Sequence, residues 1–207
     1  MTKAENVVKG SYQNIVQAYN KASYDSHTEG QYWYVDANNI AGQVSNLLGT
    51  EDIRVGAGIL AALSPQIDWG NNIAEALKFT SLGYSTMQTQ ANNAKAQKIQ
   101  EGQDPDTILG GHKVVPFYHA ILEPTGQYKP VVDRHAIAIY YGKPVSERQL
   151  SRAFGNRKVM RRIQYAYVRA SKEVGKHYNV VQATTWVQHR KDKGYTKVKA
   201  WEKTNAI

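Results

Sequence analysis

A chain of 207 residues can bury one substantial hydrophobic core and is short for two, and its 42% hydrophobic and 21% charged residues exclude wholesale disorder. The absence of cysteine removes disulfides, thiolate nucleophiles, and cysteine-ligated zinc or iron-sulfur clusters from the available chemistry. The formal charge of +9 is uneven: residues 143 to 203 carry 16 Lys/Arg against 4 Asp/Glu, a surplus of 12 that leaves the remainder at −3. That basic third is where contact with a polyanion is expected, against the plainer reading of a solvated helical surface.

In chain order, apolar residues recur at helical spacing from Val7 to Tyr19, from Ile40 to Leu48, and most clearly from Ile53 to Leu63, where Ile59, Leu60 and Leu63 share a face. The pattern repeats from Asn71 to Leu82. Further helices are predicted over Ala136 to Tyr141, Val159 to Val174 and Gln182 to His189. The polar stretch from Ala91 to Asp106 keeps helix formers such as Ala94, Lys95, Ala96 and Lys98. Strand-like alternation is scarce: Tyr32 to Val35 and Lys129 to Val132 read as short extended pieces or as the approaches to helices. The expectation is an all-α fold in a single compact domain. Its parts are N-terminal helices over residues 1–50, a core over 53–190 and a basic tail over 191–207. There is no apolar run near the ~18 residues of a membrane span. The opening MTKAENVVKG lacks the order of a signal peptide, which predicts a cytoplasmic protein.

The segment from Ile108 to Gly142 carries the most chemistry. A Gly110-Gly111 turn leads into an apolar helix, a Pro/Gly loop follows, and Asp133 opens the next helix. Glycines permit a tight turn and bring bare N–H groups close to a phosphate, although any helix connection can use such a turn. Asp133 reads in two ways. It can be an ordinary helix cap, or a carboxylate whose charge the helix N-terminus favours and which stabilises a cation formed nearby.

This stretch resembles the hairpin and catalytic-aspartate region of endonuclease III-type enzymes of the helix-hairpin-helix DNA glycosylase superfamily, in which a glycine hairpin with a lysine precedes Val-Asp-x-His by some twenty residues. Lys113 to Asp133 has that spacing. Upstream, LAALSPQIDWGNNIAEALKF from Leu60 resembles the family's leucine-rich helix and Leu-Ser-x-Gln turn, and TTWVQHR from Thr184 resembles its tryptophan-containing helix. The Leu-Ser-Pro-Gln and Val-Val-Asp-Arg-His-Ala strings are also similar to those of small phage proteins. The family's glycines are usually two apart, whereas Gly110 and Gly111 are adjacent, so the apex of the hairpin is altered. The iron-sulfur ligands of some members cannot exist here.

The resemblance implies a cofactor-free DNA N-glycosylase acting on double-stranded DNA, in a bacterium or a phage-infected cell. It implies that Asp133 stabilises the sugar oxocarbenium ion and orients or deprotonates the attacking water. Lys113 corresponds to the lysine that attacks the sugar C1′ in lyase-competent members, or else it contacts phosphate. Gln66 corresponds to the glutamine that fills the gap left by a flipped nucleotide, and Gly110, Gly111, His112 and Arg134 are the further expected DNA contacts. His135 and Trp69 are expected at the substrate pocket. Tyr32, Trp33, Tyr34 and Trp186 are candidates either for stacking on a base or for the core.

Asp68 reads best as a helix cap near Asn71. His112 and His119 are seven apart, but no third ligand has metal-site spacing, so no metal is expected. Two other functions fit the same residues: an enzyme of this fold acting on modified thymine in phage DNA or on a free nucleoside or nucleotide, and a non-enzymatic DNA-binding module. No protein partner is evident.

Overall fold

The computed structural model describes residues 10–194, which form eleven helices with no strand among the described residues. All but one of the described helices start where the sequence supplies a side-chain acceptor for the open N–H groups of the first turn; the exception is the helix that follows Lys113. Ser11 precedes α1 (Tyr12–Lys21), Ser23 precedes α2 (Tyr24–Leu47), Asp52 precedes α3 (Ile53–Ala62) and Asp68 precedes α4 (Trp69–Leu82). Thr89 caps α5 (Gln90–Gln100), and Asp104 caps the single turn α6 (Pro105–Ile108). Beyond the glycine turn lie α7 (Val114–Leu122) and, capped by Asp133, α8 (Arg134–Tyr141). Ser146 and Gln149 form a capping box for α9 (Glu147–Phe154), Asn156 caps α10 (Arg157–Val174), and α11 runs over Tyr178–Asp192.

The all-α expectation holds, with local differences at Tyr32 to Val35 and at α9 (Glu147–Phe154), while Lys129 to Val132 is the approach to a helix. Tyr32 to Val35 lies inside the 24-residue α2 and is not extended. Burial of Tyr34 and the packing of Trp33 outweigh the strand preference of an aromatic run. Lys129 to Val132 is irregular backbone leading to the α8 cap. Helix α9 escaped the periodicity because only Leu150 and Ala153 of its eight residues are buried. Of the expected basic tail over 191–207, Lys191 and Asp192 belong to α11 and residues 195–207 lie outside the described residues, as does the start of the helix expected from Val7.

The apolar faces assemble into two clusters. One joins α2, α3, α4, α5 and α7 around Leu60, Phe79, Tyr118 and Ile121; the other joins α1, α8, α9 and α10 around Ile15, Ile137, Ile163 and Tyr167. The seam runs through consecutive residues: Val131 packs in the first cluster and Val132 in the second. Helix α11 spans the seam, with Ala183 on one side and Val181 on the other, and it packs extensively along α2. Gly30 lets the two helices touch, since a Cβ there would lie 2.2 Å from Thr184 Oγ1 and 2.5 Å from the Thr184 backbone.

One buried acid organises the α4–α5 loop. Glu75, 1% exposed, accepts from Lys78 Nζ at 2.7 Å, Ser85 Oγ at 2.6 Å, and the backbone N–H groups of Thr86 and Met87 at 2.7 and 3.1 Å. Burial works against its charge, but these donors prevail and hold its pKa down to about 2. A carboxyl whose folded pKa lies below its unfolded value stabilises the fold fully above the unfolded value, and the contribution disappears as pH falls through the folded one. Glu75→Gln is therefore expected to lower the melting temperature at pH 7, with a smaller deficit near pH 3 than at pH 7. Thermal unfolding of both proteins at the two pH values checks this; a pH-independent deficit would assign the effect to packing alone.

Candidate functional site

A cavity opens at the seam, about 520 Å³ with the space in its mouth included. Its walls come from six regions. Helix α2 gives Trp33 and Tyr34, the turn after α3 gives Ser64 and Ile67, and α4 gives Trp69 and Asn72. The start and body of α7 give Lys113 and Phe117, and Val131, Asp133 and three α11 residues close it. Trp33 lies at the centre of the aromatic wall, with ring centroids 5.0 Å from Trp69, 5.6 Å from Trp186 and 6.2 Å from Phe117. Such tilted and edge-on contacts fix the rings relative to one another.

Asp133 is half-buried, and both of its oxygens are held. The N–H of Ala136 donates to Oδ1 at 2.8 Å, the cap expected from sequence, while the indole Nε1–H of Trp186 donates to Oδ2 at 2.8 Å from the far side of the seam. Arg190 lies over the outer face of that indole, 4.6 Å from its ring centroid. One carboxylate is thus aimed by a helix N-terminus and by a tryptophan 53 residues away in sequence, at the wall of a cavity that Lys113 also lines.

The other expected site residues divide. Trp69, expected at the substrate pocket, lines the cavity. Gln66 is exposed between the wall residues Ser64 and Ile67, and has φ +63°, a left-handed conformation unusual for a side chain of its kind. Pro65 and Gln66 thus form a turn between two wall residues, with Gln66 exposed. Gly110, Gly111 and His112 form an exposed turn before α7; Gly111 has φ +94°, and a Cβ at either glycine would meet nothing within 4 Å. The helix preceding this turn is only the four residues of α6, shorter than a full hairpin arm. Arg134 is exposed, 3.6 Å from Glu147.

His135, expected at the pocket, is not among the residues that line the cavity; it lies edge-on to Trp186 with centroids 6.1 Å apart and its Nδ1 3.1 Å from Nδ1 of His189. Burial lowers its pKa to about 4; the Asp133 carboxylate opposes this, and His189, Arg190 and Lys193 add to it. Burial, and then Lys193, likewise lower His189. At neutral pH two uncharged rings share one hydrogen bond there and brace Trp186. Tyr32 is 56% exposed and stands apart from the cavity. His119 pairs with Asp106 at 2.9 Å and stacks on Tyr128, and among the described residues no three His, Asp or Glu side chains converge as metal ligands. Asp68 caps α4 through the Asn71 N–H, the structural role expected of it.

Sequence reasoning passed over Ser64, Ile67, Asn72, Phe117 and Gln182. Two of them left a trace: Asn72 and Gln182 are polar residues at inward positions of helices whose neighbours Ile73, Ala76, Val181 and Ala183 are core.

A family of unknown function, DUF7178, matches residues 1–193, and the chain belongs to it. No curated protein and no solved structure matches the chain. The chain is thus an all-helical member of that family, and no helix among its described residues is long and apolar enough to cross a membrane.

Proposed function

We propose that this protein is a DNA N-glycosylase with a helix-hairpin-helix type of core, which draws a modified or mismatched base from duplex DNA into the seam cavity and cleaves its bond to deoxyribose. The observation that carries the reading is the placement of Asp133 and Lys113 on the walls of one aromatic cavity, with both Asp133 oxygens held by N–H donors. The reacting bond is inaccessible inside a base stack, so the nucleotide must be swung out. The rings of Trp33, Trp69 and Phe117 offer faces and edges for the extruded base. As the C1′–N bond breaks, the fixed charge of Asp133 stabilises the positive charge developing on the sugar without having to reorient.

On this reading the exposed Gln66 occupies the position in the duplex that the extruded nucleotide vacates. The open turn Gly110-Gly111-His112 and the exposed Arg134 supply N–H and cationic contacts to phosphate. Arg148, Arg152, Arg157, Lys158, Arg161 and Arg162 are all exposed on α9 and α10, which gives the basic third a polyanion-facing surface.

Lys113 has no hydrogen bond or ion pair to another described side chain, so its amine is available to the cavity. The reading assigns it the lyase step: the neutral amine attacks C1′ as the C1′–N bond breaks and the base leaves with one amine proton, then the C1′–O4′ bond opens with O4′ taking a proton, and the resulting Schiff base is reducible. The test is incubation with duplexes bearing a panel of damaged and hypermodified bases, with alkali and with borohydride. Base release from at least one duplex is expected, together with a covalent adduct that maps to Lys113 and is lost in Lys113→Gln. Base release without an adduct would make Lys113 a phosphate contact. Activity confined to free nucleosides, or none on any duplex, would overturn the DNA reading.

A further inference from the structure

The cavity contains polar groups that the proposed bond cleavage does not use. Asn72, 1% exposed on α4, donates its Nδ2–H to the Leu60 carbonyl at 3.0 Å, which fixes the orientation of the amide. Its Oδ1 is buried with no hydrogen-bond partner. A buried acceptor left unpaired is costly, and a site built around one regains that cost when a ligand brings a donor. Opposite it in chain terms, on α11, Gln182 is 5% exposed, and its Oε1 accepts from the Tyr34 hydroxyl at 2.8 Å. Burial first, and then the Asp133 carboxylate, push the Tyr34 pKa well above its ordinary value, so the hydroxyl keeps the proton it donates. Gln182 Nε2 then remains as a donor with no hydrogen bond to a described residue.

We propose that Asn72 and Gln182 are the recognition edge of the seam cavity, and that they select an uncharged planar heterocycle presenting an N–H donor, for Asn72 Oδ1, beside an acceptor, for Gln182 Nε2. This deepens the glycosylase reading and rests on it for the origin of the heterocycle as a base extruded from DNA. The surroundings fit that ligand class: Trp33, Trp69, Phe117 and Trp186 supply aromatic surface, and the Asp133 carboxylate disfavours an anionic group, so phosphate stays outside. Asn72 discriminates more sharply than the rings do. A ligand lacking its donor leaves Oδ1 unpaired in the complex, and sites built to hydrogen-bond a group reject analogues without it far more strongly than apolar surface rejects a change of shape.

The test uses quenching of the tryptophan fluorescence from the cavity wall by heterocycles already methylated at the glycosidic nitrogen, so that the only remaining donor lies on the recognition edge. The pairs are 1-methyluracil against 1,3-dimethyluracil, and 9-methyladenine against its N6,N6-dimethyl derivative. At least one donor-bearing probe should quench saturably, its donor-blocked partner should bind at least about tenfold more weakly, and Asn72→Ala should lose about tenfold for the former while the gap between partners closes. Gln182→Leu should weaken binding without closing that gap. Circular dichroism of the variants checks that they fold. Equal binding of both members of each pair, or a gap that survives in Asn72→Ala, overturns the assignment, as does the absence of saturable quenching by any probe. Because free heterocycles are used, the outcome is separable from catalysis: donor-selective binding without base release from any duplex would sustain the recognition edge and sink the glycosylase reading.

Discussion

Asp133→Asn is expected to reduce base release by a factor on the order of a thousand while leaving duplex affinity within about threefold, because an aimed charge acts on the transition state more than on the bound ground state. The size follows from what the change removes. Asparagine is as good a helix cap as aspartate, so its oxygen can still accept from the Ala136 N–H. Its amide cannot also accept from Trp186 Nε1–H, and it carries no charge to set against a developing oxocarbenium ion. Stability should fall by about 1–3 kcal/mol at most, the cost of leaving the indole N–H unpaired, while turnover collapses. Single-turnover base release, duplex binding and thermal unfolding on the same preparation separate these effects. A variant that releases base at the wild-type rate would remove Asp133 from the chemistry. One that loses binding and turnover in equal measure would make it a ground-state contact.

The second large effect is expected far from any reacting atom, at Gly30. Alanine in place of glycine inside a helix ordinarily stabilises by about 0.5–1 kcal/mol, since glycine loses the most freedom on folding. Here the sign should reverse. The new Cβ would lie 2.5 Å from both N and Cα of Thr184, atoms that cannot rotate aside, so α2 and α11 must move apart. Overpacking of this kind costs about 1–3 kcal/mol and more when backbone is involved, which for a chain of this size corresponds to a fall in melting temperature of roughly 5–10 °C. Separating these helices also moves Trp33 and Tyr34 away from Gln182 and Trp186, so the aromatic wall and the Tyr34–Gln182 bond should loosen together. Gly42→Ala is the internal control: it lies on the same helix with nothing within 4 Å of its Cβ and should be neutral or stabilising. If the two substitutions behave alike, close contact at Gly30 is not what sets the seam.

The sequence determined the local features, because their physics is local. The 3.6-residue periodicity marked α3, α4, α8 and α10 within a few residues, and Asp133 was legible as a helix cap from its position before Ala136 to Tyr141. Likewise Asp68 before α4, the turn at Gly110-Gly111, and the charge surplus on the C-terminal third need only neighbouring residues to be read. Periodicity failed where a helix is fixed by what packs on it: α2 passes through four aromatic or β-branched residues as a helix because α3 and α11 hold it on either side, and α9 has too few buried positions to leave a stripe.

The tertiary structure alone decided the cavity. Its walls come from positions as far apart as Trp33 and Trp186, and no local pattern brings an indole N–H 2.8 Å from a carboxylate 53 residues earlier. The same holds for His135: adjacent in sequence to the cap, it invited a place in the pocket, yet the first turn of α8 directs it behind Trp186, onto His189. Asn72 and Gln182 acquire their unpaired groups only from Leu60 and Tyr34, which satisfy one end of each amide and leave the other without a described partner. A helix can be read from its own residues because its hydrogen bonds close within four positions; a site cannot, because its geometry is set by the meeting of surfaces that the chain brings together only on folding.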